Sequence, residues 1–398
     1  MNDMDSNTII NCHYVPQFIL RNFGRNISCF NVRNGDFLMN RNSKKIFSIG
    51  NLYPEEVEKK LSYNMEEEFS RLLKNKILEK DIISLTRNEV GIVKRFLVMS
   101  MLRTPDNLET IHKLRVTLNS QITSFPEIIM GRFSKEIESN ESDMEYWERT
   151  IDCIIENSEF TPDSILKNDN STFMAYHFVI TMQAGYLGFW DSPFETDEFM
   201  ITDIGMTSEN EVGWHTDFVL NHKKMDTLSA LEDVVKDVDD LFTKQIRITR
   251  NSLLFFHENF MMFPISAKRM IVLINPFFKI LNNLKKNGSP CPELKNYTKL
   301  ENEALFAPNK SQRLMTDPEE EKKPDDVFVY HPVKMSPSDC QYCNALLMDR
   351  VHTWLGFSDL RKAKGSILRY RKDNESFVPR NNYDVLYHIL SNYESSSN

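Results

Sequence analysis

Apolar residues recur along the chain in several rhythms, and each rhythm predicts a different element. From Pro54 onward, Val57, Leu61, Met65, Phe69, Leu72, Leu73 and Ile77 follow one another at mostly three- and four-residue steps, which predicts an amphipathic helix of about six turns. The stretch "TRNEVGIVKRFLVMSMLR" opens with Thr86 and Glu89 in the relation of a capping box and is nearly all apolar to Arg103. A buried helix is expected there, ended or interrupted by Pro105. Helical patterns continue over 108–124, 126–139, 142–157 and 164–184, with "NSEFTPDS" and "KNDNS" as polar breaks.

Elsewhere the rhythm shortens. "ISCFNVRNGDFLMNRN" alternates about Asn34-Gly35 and predicts a hairpin over 27–41, because both turn positions need positive φ. In "NCHYVPQFILRNF", Pro16 suits a helix start and Gly24 its end. Gln17 and Arg21, four apart, then share a face while Ile19 and Phe23 seek the core, and His13 lies on the extended segment just upstream. Aromatic and β-branched residues in "GYLGFWDSPFETDEFMITDIG" predict one or two strands, and 269–274 reads as a buried strand. Further helices are expected over 225–244, 338–355 and 383–393. The polar stretch 285–334, with the charge run "DPEEEKKPDD", reads as a solvated loop, and "ESSSN" as a frayed tail.

These elements predict a mixed α/β (α+β) fold, predominantly helical. Its small β-sheet is built from the N-terminal hairpin and the segments 199–203 and 269–274. The expected organisation is one globular domain over 1–357, made of the hairpin 27–41, a helical middle 54–185 and a mixed part 186–357. A C-terminal extension, 358–398, would carry one helix and the tail.

Composition narrows the class. With 41% hydrophobic and 26% charged residues the 398-residue chain is globular rather than disordered. A net charge of -9 argues against an overall basic nucleic-acid coat, so any phosphate-binding site must be local. There is no basic-then-apolar leader and no run of about eighteen apolar residues, which predicts a cytoplasmic chain that spans no membrane. Six scattered cysteines read as reduced thiols. Cys340 and Cys343 have no second pair to complete a zinc site and are expected to pack as small apolar groups. The glycines form neither of the two familiar phosphate-cradling loops.

"HYVPQFILRNF" at 13–23, "LRTP" at 102–105, "FMITDIG" at 199–205, "FPIS" at 263–266 and "CNALLMDRV" at 343–351 stand in a telling order. In that order the chain resembles, from residue 12 to about 357, the bacterial domain-of-unknown-function family numbered 4238. The third segment departs from the family's Thr-Ser-Asp-x-Pro string, because here Ile204 and Gly205 follow Asp203. The resemblance implies a fold and a set of residues, not a reaction.

Those segments leave His13, Gln17, Arg21, Arg103, Asp203, Ser266 and Asn344 at the ends of apolar elements, where burial demands partners. One reading is a buried hydrogen-bond network. The other is a site in which His13 exchanges protons, Arg21 and Arg103 clamp phosphate, and Asp203 orients His13 or holds a divalent metal. Gln17, Ser266 and Asn344 would then bind substrate. Arg103 and the face of Gln17 and Arg21 are expected to meet, because neither is cheap to bury unpaired.

Glu66, Glu67 and Glu68 are the obvious further carboxylates but read as a solvated helix face. "RNSLLFFH", from Arg250 to His257, resembles a metal-free nuclease pattern, though His257 reads more simply as a core residue. The functional expectation is a hydrolase, in its specific form a nuclease acting in phage defence or as a toxin, with nucleic acid or another phosphate-bearing ligand as partner. The alternative is a non-enzymatic sensor or interaction protein using the same pocket. His13 and Asp203 converging in an open cleft would favour the first; polar groups sealed beneath apolar side chains would favour the second.

Overall fold

A computed structural model of the chain describes residues 11–122, 127–137, 140–210, 258–274, 300–306, 326–373 and 382–397. At its N-terminus β1 (Asn11–His13) pairs antiparallel with β4 (Ser48–Gly50), with His13 opposite Ser48. Between them, α1 (Gln17–Phe23) hangs its first turn on the Pro16 carbonyl, which accepts from Ile19 and Leu20. The helix ends at Gly24, where φ is 147° and a Cβ would stand 2.9 Å from the Asn26 carbonyl oxygen. The expected hairpin follows as β2 (Asn26–Asn31) and β3 (Phe37–Asn42). Its turn carries Gly35 at φ 80°, and its register shifts between Ile27 and Cys29.

The long helix is present but not uniform. α2 (Glu55–Leu61) and α3 (Glu67–Leu72) are joined and followed by π turns at Ser62–Glu66 and Leu73–Ile77. The cause is legible in the apolar positions 57, 61, 65, 69, 73 and 77, which repeat every four residues. In an α-helix each such step overshoots a full turn by about 40°, so the stripe would drift off the core. A π turn, with its i→i+5 bonds, winds less per residue and returns it. As a result Leu61, Met65, Phe69, Leu73 and Ile77 are all buried. α4 (Arg87–Leu102) starts on the expected capping box, with the Glu89 N–H donating to Thr86 Oγ1 and the Thr86 N–H to Glu89 Oε2. α5 (Pro105–Gln121), α6 (Glu127–Ile137), α7 (Asp143–Glu156), α8 (Pro162–Lys167) and α9 (Phe173–Ala184) complete the helical middle.

Two larger sheets take most of the remaining strands. One has the order β3-β2-β13-β7, with β7 at Ile201–Thr202 and β13 at Trp354–Phe357. The other is β12-β6-β10-β9-β8, with β6 at Tyr186–Asp191, β8 at Thr207–Asn210, β9 at Glu258–Pro264, β10 at Arg269–Ile274 and β12 at Val333–Lys334. The fold is thus mixed α+β and mostly helical, as expected, but 269–274 does not share the hairpin's sheet. All six of its residues are buried between β6 and β9. The pair of β8 and β9 ends with Asn210 opposite Glu258.

The helix expected over 338–355 also ends early. α10 (Pro337–Arg350) stops where Val351 turns extended, and the next residues enter the first sheet as β13. There Gly356 lies so close to its neighbours that a Cβ would meet Ile201 Cγ2 at 2.9 Å, so only glycine fits. Part of the stretch read as loop is strand as well: β11 (Val327–Tyr330) pairs with β5 (Ile83–Thr86), and β12 with β6.

Beyond residue 357 the described residues form two helices rather than one, α11 (Leu360–Asp373) and α12 (Tyr383–Ser397), and the second runs through most of the expected tail. They share a core with the first sheet and α10 through Phe30, Val32, Met348, Leu355, Phe357, Ile367, Tyr370, Tyr383 and Leu386. The expected helix 225–244, the Arg250–His257 segment and most of the charge run lie outside the described residues. Among the described residues no helix is long and apolar enough to cross a membrane.

Candidate functional site

Three of the seven candidate side chains form a relay. Gln17 and Arg21, one turn apart on α1, bond to each other, Arg21 Nη2 donating to Gln17 Oε1 at 2.9 Å. That fixes the orientation of the amide and directs Gln17 Nε2 at His13 Nε2, 3.2 Å away. Because the amide nitrogen can only donate, His13 Nε2 receives, and the neutral ring carries its proton on Nδ1. Burial lowers the His13 pKa and the charge on Arg103 adds to this, while backbone hydrogen bonding to Lys44 and Asn11 and the charge of Glu66 oppose it. The result is a half-buried neutral imidazole linked through Gln17 to an exposed guanidinium.

Arg103 touches the same residue from the inside. It lies just past the end of α4, 1% exposed, and donates to the His13 backbone carbonyl, to Glu66 Oε1 and, at 3.2 Å, to the Tyr53 hydroxyl. Glu58 Oε2 is 3.9 Å away. Burial opposes its charge, but Tyr53, Glu66 and Glu58 outweigh that and hold its pKa above the usual value, while burial raises Glu58. Arg103 and the α1 face therefore meet only through His13. Glu66 and Glu68 are not the solvated face expected of them: Glu66 pairs with Arg103, and Glu68 accepts from Arg95 at 2.7 Å. The sequence reading missed Glu58, Glu66 and Tyr53 as partners. The signal was the pair Glu58 and Glu66, eight residues apart on a helix whose stripe repeats every four.

Asp203, Ser266 and Asn344 lie elsewhere. The Asp203 carboxylate accepts the backbone N–H groups of His352, Thr353 and Trp354, holding the loop that leads into β13. Its charge acts on Tyr14, whereas the charges acting on His13 are those of Arg103 and Glu66. With both carboxylate oxygens on that loop and the His13 ring bonded to Gln17, Asp203 is not the group that orients His13. The departure after it has a local role, because Gly205 at φ 70° closes the turn by donating to the Thr202 carbonyl. Ser266 Oγ accepts from the Lys268 and Arg269 N–H groups and so shapes the turn between β9 and β10. Through that turn the Ile265 carbonyl receives Asn22 of α1. Asn344, fully buried, bonds Glu198, Ser366 and the Met200 N–H, tying α10 to the strand and helix beside it.

Three of the five matching segments, the first, third and fourth, meet at an apolar pocket of about 350 Å³, its open mouth included. Tyr14, Pro16 and Ile19 line it from the opening segment, Ile201 and Ile204 from the third, and Phe263 and Ile265 from the fourth. Cys340 and Cys343 are buried in the core with Trp190 and Met262. Among the described residues no group of three or more His, Cys, Asp or Glu side chains is placed to hold a metal ion.

The family described as "Protein of unknown function (DUF4238)" matches residues 11–359. No curated protein and no solved structure matches the chain. With most of its length covered, the chain belongs to that family.

Proposed function

We propose that this family member is a binding protein, a sensor or interaction protein, that takes a phosphate-bearing group at the face of His13, Gln17 and Arg21. The observation that carries the reading is the relay itself. Arg21 gives one N–H group to Gln17 and, among the described residues, none to any other side chain, so the rest of its planar fork is open to an oxyanion. The sealed setting of Arg103, Asp203 and Asn344, each hydrogen-bonded beneath apolar neighbours, supports binding over turnover.

A second reading, a hydrolase and specifically a nuclease acting in phage defence or as a toxin, draws support from one observation. The neutral imidazole keeps a lone pair on Nε2, which becomes a general base once Gln17 lets go. Calorimetry with inorganic phosphate and a nucleoside monophosphate separates the readings. Binding by the parent, lost in Arg21→Ala at unchanged melting temperature, is the expected outcome, and failure to bind either probe would overturn it. Product release from a nucleic-acid substrate, abolished by His13→Ala without loss of fold, would move the assignment to the hydrolase.

A further inference from the structure

The same face carries a local charge that the whole-chain balance conceals. Residues 21–45 hold six basic side chains, Arg21, Arg25, Arg33, Arg41, Lys44 and Lys45, against one acid, Asp36, in a chain of net charge -9. Arg21, Arg25, Arg41, Lys44 and Lys45 are all exposed, and among the described residues none of the five pairs with a carboxylate.

The fold gathers them at one end of the hairpin. Arg41 stands opposite Ile27, and the Ser43 N–H donates to the Arg25 carbonyl, so Arg25 and Arg41 sit two rungs apart on the same side of the hairpin, with the Asn26–Asn42 pair between them. The short helical turn Ser43–Lys45 is fixed where the Asn42 side chain accepts the Lys44 N–H at 2.9 Å. The Lys44 backbone is itself a hydrogen-bond partner of the His13 ring. Arg25, Arg41, Lys44 and Lys45 therefore gather beside His13, Gln17 and Arg21. Among residues 11–50 no aromatic side chain is exposed, so nothing there offers an unpaired base a stacking surface.

We infer that this end of the hairpin is a docking surface for the sugar–phosphate backbone of a nucleic-acid duplex, held without regard to sequence. The inference rests on the phosphate-binding reading of the neighbouring relay and names the macromolecule that brings the phosphate. Cations gathered beside an anion-seeking guanidinium release counterions on contact with a duplex, and that release is the measurable signature.

The test uses the full chain, a labelled DNA duplex of about twenty base pairs and salt varied from about 50 to 200 mM. The parent is expected to bind with a steep fall of log K against log salt. The variant Arg25→Gln/Arg41→Gln/Lys44→Gln/Lys45→Gln is expected to lose at least about tenfold in affinity at the lowest salt and up to about 3.6 from the magnitude of the slope. If that variant melts below the parent, Lys44→Gln and Lys45→Gln singly are each expected to remove about 0.9 from the slope. No binding by the parent, an unchanged slope in folded variants, or preference for polyglutamate over duplex would overturn the inference. Phosphate or nucleotide binding that persists while duplex binding is absent overturns this inference alone and leaves the relay's reading standing.

Discussion

His13 and Arg103 meet at one peptide group but stand in opposite electrostatic situations. At His13 the Nε2 lone pair already faces a donor, so taking up a proton would set two donors against each other, and burial adds to that cost. Its folded pKa lies below 6.5, so as pH falls through that value the unfolded chain binds protons that the folded chain refuses. The stability contributed is present above pH 6.5 and lost below it. Denaturant titrations between about pH 7 and pH 5 are expected to show a smaller loss for His13→Gln than for the parent. Arg103 is the reverse, a buried cation that two carboxylates require. Arg103→Ala would strand Glu66 and Glu58 and is expected to cost about 3–5 kcal/mol in urea denaturation, with Glu66→Gln in the same chain restoring part of it.

The π turns tie an element to its sequence more tightly than a plain helix would be. Because the apolar stripe repeats every four residues, removing one exposed residue between Leu61 and Met65 shortens one step to three, and a stripe with mixed three- and four-residue steps suits an ordinary α-helix. Deletion of Asn64 is therefore expected to lower the melting temperature much less than deletion of Glu148 from α7, where the pattern has no residue to spare. Thermal melts of the two deletions decide it, and equal losses would refute this account of the π turns. The helix, its face and its buried residues were legible in the sequence. The π geometry was legible only in a strict period of four, which is easily taken for the helical three-and-four.

For the whole molecule, the boundary of the family match and the boundary of the core do not coincide. The match ends at residue 359, yet Leu360, Ile367, Tyr370, Tyr383 and Leu386 lie beyond it in one cluster with Phe30 and Phe357. A chain truncated after Asp359 would bare that apolar surface and is expected to be recovered aggregated or to melt far below the full chain. Sedimentation and melting of the truncated chain would show it.

Local patterns such as the capping box at Thr86, the Asn34-Gly35 turn and the α1 limits were readable because each is settled by a few adjacent residues. Sheet membership was not, because pairing joins residues far apart in sequence. The strand at 354–357 becomes one only where Gly356 slides against Ile201. The polar candidates followed the same rule: Gln17 and Arg21 were readable as neighbours one turn apart, whereas the backbone partners of Asp203 come from a loop about 150 residues later.

The rung at which Asn210 faces Glu258 has a consequence for how this fold tolerates change. β8 and β9 hold these two residues side by side, so the ends of whatever chain joins them are already brought together. Doubling the length of a flexible connection between closed ends adds only about 0.6 kcal/mol of closure entropy. A longer stretch of chain placed between these two residues is therefore expected to add little closure cost of its own.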